Sequence, residues 1–171
     1  TLGIIGIVAA MTLPTLIQKY QDKSDYTHLK KIYSQLLQAT LSLEQEYGPV
    51  EGWEWTDDQQ TNSTLLMERY KEQFKSIKTC EEDLKSCFPN VMYKSSTGEN
   101  YSTWANATTR ASFLLPDGAI MMFQFTNDSC WFQIYVDLNG WKKPNQLGND
   151  FFYFYYFKSI NGIRPSGWYD T

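Results

Sequence analysis

Residues 2–13 read LGIIGIVAAMTL, twelve positions without a charge, and Pro14 follows. Twelve helical residues span about 18 Å, short of the ~30 Å hydrocarbon core of a bilayer. Taken alone the run fits a signal-peptide core, a buried helix or part of a membrane helix. A signal peptide wants a basic stretch before it and small residues at a cleavage site after it. The segment TLPTLIQKYQDK, residues 12–23, offers neither. The chain begins at Thr1 rather than Met, so the expectation is that residues upstream are missing or removed.

Beyond Pro14 the pattern turns helical and amphipathic. Leu29, Ile32, Leu36, Ala39, Leu43 and Tyr47 recur at three- and four-residue steps, with Tyr33 and Leu37 widening the stripe. Gly48-Pro49 supplies a residue that ends helices and one that cannot continue them. Residues 15–47 then make a rod about 50 Å long. Asp22 to Asp25 interrupts it without an apolar anchor, where the rod passes from one environment to another. An apolar helix running into an amphipathic one places one end in lipid and the other on a folded domain.

These residues resemble the N-terminal helix of type IV pilins and type II secretion pseudopilins. The resemblance rests on Ile4, Ile5, Gly6 and Ile7, the pair Ala9 and Ala10, and Pro14 eight residues after the glycine. It covers closely only the first tenth of the chain. It implies a methylated phenylalanine and a glutamate upstream of Thr1, with about eight residues lost, which lengthens the apolar span to about 21, enough to cross a bilayer. It further implies a structural subunit of a bacterial type IV pilus or type II secretion filament, processed by a prepilin peptidase. Such a subunit is held in the inner membrane, with its domain in the periplasm or outside the cell, and works with inner-membrane assembly machinery. Assembly moves the helix from the lipid bilayer onto the helices of identical or homologous subunits. Leu2, Ile4, Ile5, Ile7, Val8 and Met11 are the packing side chains, Gly6 allows close approach, and Pro14 is the adjustable point. The second reading is a membrane-anchored binding module or adhesin, using the segments around Trp53, Trp55 and Trp104.

The remainder divides into a connecting region, 48–109, and a sheet, 110–171. Thr64 to Ile77 reads as a short helix with Leu65, Leu66, Tyr70, Phe74 and Ile77 on one side. Tyr93 to Thr109 is polar and reads as a loop. Ala111–Leu115 and Ala119–Phe125 read as strands joined by Pro116-Asp117-Gly118, followed by Cys130–Val136 and by Phe151–Phe157 (FFYFYYF), which is aromatic on both faces. The expected fold class is therefore α+β: a long N-terminal α-helix packed on a C-terminal antiparallel β-sheet, as the resemblance also implies.

Between the last two strands, Asp137, Asn139 and Asp150 supply oxygen ligands around a glycine turn, the chemistry calcium takes. The spacing departs from an EF-hand, since Lys143 and Gly148 fall at the seventh and twelfth positions. The resemblance adds that major pseudopilins bind calcium near their C-terminus. The competing reading is a turn in which Asp137 and Asn139 bond their own backbone. Cys80, Cys87 and Cys130 allow three single bridges, with local Cys80–Cys87 closure first among them.

Composition narrows the rest. The 171 residues suit one domain. A net charge of -4 argues against a nucleic-acid partner, and the surplus lies in residues 48–109, with ten acids and six bases. A single histidine, His28, removes most zinc enzymes and His-dependent hydrolases. No Gly-rich phosphate loop, nucleophile elbow or metal-helix motif occurs, so no catalysis and no cofactor beyond calcium is expected.

Overall fold

The computed structural model describes residues 2–81 and 83–167, with side chains described from Thr12 onward, Thr15 excepted. Helix α1 (Leu2–Tyr47) carries Pro14 inside it and stops at Gly48, whose φ of 80° lies in the left-handed region. Helix α2 (Gln59–Phe74) begins where the Asp58 carboxylate accepts the Thr61 N–H at 2.6 Å. That cap starts α2 five residues earlier than the hydrophobic pattern predicts, and Lys75 in the left-handed conformation ends it.

Eight strands follow among the described residues. They are β1 (Lys78–Cys80), β2 (Tyr93–Lys94), β3 (Asn100–Ser102), β4 (Ala111–Leu114), β5 (Ile120–Phe125), β6 (Cys130–Asp137), β7 (Phe151–Phe157) and β8 (Gly162–Pro165). Six form one antiparallel sheet in the order β1-β4-β5-β6-β7-β8, and β2 pairs with β3 in a separate ribbon.

Both faces of the sheet are covered. Met121, Phe123, Phe132, Ile134, Phe154 and Tyr156 point into a main core shared with both helices. The alternate positions Ile120, Met122, Tyr135, Phe151 and Tyr153 join a second core with Phe88, Tyr93 and Trp104. This two-sided burial is why β7 reads FFYFYYF rather than alternating with polar residues.

The expected fold class is overturned. The sheet is no C-terminal appendage: it starts at Lys78, inside the segment read as a connector, and its six strands with the β2–β3 ribbon dominate the folded body. Nor does a long helix lie along it. Of the described α1 side chains only a short stretch enters the core, at Ile32, Leu36, Ala39 and Leu43, with Leu29, Tyr33 and Leu37 packed against it. The β4–β5 half of that face is covered instead by α2, through Leu66, Met67, Tyr70 and Phe74 against Phe113 and Phe123. Tyr47, the expected end of the buried stripe, is half exposed under the Arg69 guanidinium, 4.2 Å from its ring centre. Tyr93–Thr109, expected as a loop, holds β2, β3 and a buried Trp104.

Candidate functional site

The first half of α1 leaves the domain. Leu13, Leu16, Ile17 and Tyr20 are 53%, 61%, 55% and 78% exposed, and the first fully buried side chain among the described residues of the helix is Ile32. Pro14 is exposed on this stretch; having no N–H, it leaves one carbonyl of the preceding turn without its helical donor. The side chains of Leu2, Ile4, Ile5, Gly6, Ile7, Val8 and Met11 lie outside the described residues. Among the described residues no helix is long and apolar enough to cross a membrane.

One contact and one facing loop mark the point where α1 departs. His28 Nε2 lies 3.0 Å from Asp117 Oδ2 in the β4–β5 turn. Gln18, Asp22, Asp25 and Leu29 face Asn139, Lys143 and Asn149 of the β6–β7 loop across a cleft of about 860 Å³. Burial, then the charge of Asp150, raises the Asp25 carboxyl above its ordinary value.

Asp137, Asn139 and Asp150 do come together in that loop. Asp137 is fully buried at the end of β6. Its Oδ1 accepts the N–H groups of Asn139 (3.1 Å) and Gly140 (2.7 Å), and its Oδ2 accepts the Tyr93 hydroxyl at 2.5 Å. Asp150 Oδ1 accepts the Gln146 N–H at 2.7 Å, while Oδ2 accepts the Asn145 N–H at 2.8 Å and Asn139 Nδ2 at 3.1 Å. Burial pushes the Asp137 carboxyl up to about 7, against the pull of Tyr93; nearby Asp150 adds to the rise, and the two N–H groups oppose it. Gly140 is required where it sits, because its φ is 60° and a Cβ there would meet the Gly118 carbonyl oxygen at 2.6 Å.

Calcium takes six to eight oxygens, more than the four carboxylate oxygens of this pair. Every carboxylate oxygen of the pair already accepts an N–H or O–H, and the unpartnered buried oxygens of the loop are two amide oxygens, Asn139 Oδ1 and Asn145 Oδ1. Among the described residues no group of three or more His, Cys, Asp or Glu side chains is placed to hold a metal. The arrangement folds the loop onto β2 through its own hydrogen bonds, and Lys142 and Lys143 stay exposed on it.

The remaining candidates are structural. Cys80 and Cys87 are disulfide-bonded, with Cα atoms 6.1 Å apart, and Cys130 is a free, buried thiol on β6. Trp53 and Trp104 are buried, and Trp55 is half-buried with its Nε1 donating to the Val50 carbonyl at 2.8 Å. Trp53 and Trp55 form a tilted pair, Trp53 stacks on Phe132, Trp55 stacks on Trp131, and Arg110 lies over Trp104.

Sequence reasoning missed Arg69, which is buried, stacks on Tyr47 and Trp53, and reaches Glu54 at 3.4 Å. An arginine one step from Tyr70 on a helix face gave no signal of this, because its aromatic partners come from two other segments. Tyr93 was legible only as part of a polar tract, yet it holds the buried carboxylate of Asp137.

The model of one family matches residues 15–165. The chain belongs to DUF6613, a family of unknown function. No curated protein and no solved structure matches it. The matched span of DUF6613 includes the exposed half of α1 from residue 15 and both layers packed on the sheet, so helix and body are one family unit.

Proposed function

We propose that this DUF6613 chain is a structural subunit of a bacterial filament of the type IV pilus or type II secretion kind, with no enzymatic step of its own. Its N-terminal helix holds it in the inner membrane until prepilin processing. The assembly machinery then packs that helix against the helices of identical or homologous subunits. One observation carries the reading: Leu13, Leu16, Ile17 and Tyr20 project from the domain on an uncovered helix. Large apolar side chains clustered in the open on two turns of an uncovered helix mark an association surface. Burying them against another helix contributes roughly 25 cal/mol per Å² without drawing on the domain's own core.

The reading rests on the helix alone and borrows nothing from the architecture of the body. It does not use Trp53, Trp55 and Trp104 either, which pack into the two cores. The test is Ile5→Asp in the full chain, made in the cells that carry it. Filaments seen by electron microscopy should disappear, while the thermal unfolding of the domain stays where it was. Normal filaments from that variant would sink the proposal.

A further inference from the structure

Between Gln18 and Lys31, α1 presents two faces of different charge. Gln18, Asp22, Asp25 and Leu29, at steps of four, three and four, line the cleft against the β6–β7 loop. Tyr20, Ser24, Thr27 and Lys31 repeat the same steps two residues later, about 200° round the helix axis, and Lys23 and His28 flank them. Asp22 and Asp25 thus look toward the protein's own domain, Lys23 and Lys31 look away from it, and His28 between the two reaches back to Asp117. Lys23 and Lys31 are exposed and take part in no ion pair among the described residues.

The opposite end of α1 is acidic. Glu46, Glu51, Glu54 and Asp57 are exposed around the helix terminus and the turn that follows it. Glu46 and Glu54 both act electrostatically on Tyr47, which is itself half exposed. Arg69, stacked on Tyr47 and Trp53, reaches Glu54 at 3.4 Å, while Glu46, Glu51 and Asp57 take part in no ion pair among the described residues. One end of the rod therefore offers two lysines beside an exposed tyrosine, and the other offers four carboxylates beside another.

We propose that the outward face Tyr20–Lys31 of one copy docks on the acidic lip Glu46–Asp57 of a second copy. The inference depends on the filament reading above and adds its register. Lys23 and Lys31 are centred about 19 residues before Glu46 on the helix, so the second copy is displaced along the axis by about 30 Å. A contact between two different patches does not close on itself, and it propagates an open chain rather than a dimer. The opposed charges also suppress the two like-with-like pairings.

The experiment uses the full chain in its own cells. Lys31→Cys and Glu54→Cys are placed on separate co-expressed copies, which should give an intermolecular disulfide that neither variant gives alone. Lys23→Glu with Lys31→Glu should lower filament yield at least tenfold, and adding Glu51→Lys with Glu54→Lys to the same chain should restore it. Unchanged thermal unfolding of each variant shows that the fold is intact. Wild-type filaments that vanish with Ile5→Asp, yet form no Lys31–Glu54 cross-link and ignore the charge swap, overturn this interface and leave the filament reading standing. Absence of filaments from the wild type overturns both. Loss of membrane retention in the lysine variant, with no rescue by the second swap, would assign the basic face to anionic lipid headgroups and also overturn the proposal.

Discussion

Residues 12–28 and 29–47 of α1 share one continuous helix but not one environment. The second stretch buries Ile32, Leu36, Ala39 and Leu43 in the main core, where Thr40 Oγ1 meets the Tyr70 hydroxyl at 2.7 Å and Tyr156 donates to Glu44 at 2.6 Å. The first leaves its large apolar side chains uncovered. Helical conformation therefore reports little about what a segment contributes to the fold. Tertiary contact fixes the far half, whereas the near half is held at His28 and faces the β6–β7 loop across a cleft. A helix that packs at only one end has its other end available for a partner.

The widest contrast should appear on truncating one apolar side chain in each half. Leu36→Ala should cost about 2–5 kcal/mol, because a fully buried leucine leaves a cavity. Ile17→Ala should stay within about 0.5 kcal/mol, as exposed positions do. Denaturant unfolding of both variants decides it, and equal costs would mean that the near half is packed on the domain after all.

The loop that faces the near half should make stability depend on pH. The Asp137 carboxyl rises from 3.8 to about 7 on folding, so the folded state holds a proton that the unfolded state has released between those values. Its contribution is complete below about pH 4 and is lost as the pH rises through about 7, with a ceiling of about 4 kcal/mol at ~1.36 kcal/mol per unit. Asp137→Asn, neutral at every pH, should flatten this part of the profile. An unchanged slope would show that Tyr93 and the two backbone N–H donors hold the carboxylate ionised.

The smallest effect belongs to the tether itself. His28→Ala removes a partly exposed pair with Asp117 and should cost about 0–1 kcal/mol in global stability. Amide exchange should nevertheless quicken over residues 20–31 and stay unchanged over 36–43. Uniform exchange along the helix would remove the distinction between its halves.

The distinction itself was legible in the sequence. The three-and-four spacing of Ile32, Leu36, Ala39 and Leu43 marks a buried stripe, and its replacement by DKSD marks where burial stops. The strands from Ala111 to Phe157 were legible too, because the Pro116-Asp117-Gly118 turn and their apolar runs bound them. What stayed hidden were elements too short to show a period: β1 and β3 have three residues each and β2 has two. The β2–β3 ribbon hid inside the tract Tyr93–Thr109, where Tyr93 and Trp104 are the only large buried side chains. At the β6–β7 loop the residue types were legible but their chemistry was not. Asp137 and Asp150 carry ligand-type oxygens, and only the fold reveals that backbone N–H groups and Tyr93 already occupy them.

The strand order places β1 and β8 at the two margins of the large sheet. β1 is three residues long and exposes Lys78 and Thr79; β8 ends on Pro165, and the Ile163 carbonyl accepts the Tyr33 hydroxyl at 3.3 Å and Arg164 Nη1 at 2.9 Å. Brevity, a lysine, a proline and occupied acceptors are the means by which sheet proteins avoid adding strands from neighbours. Edges of this kind disfavour amyloid-like stacking of the body even where copies crowd together.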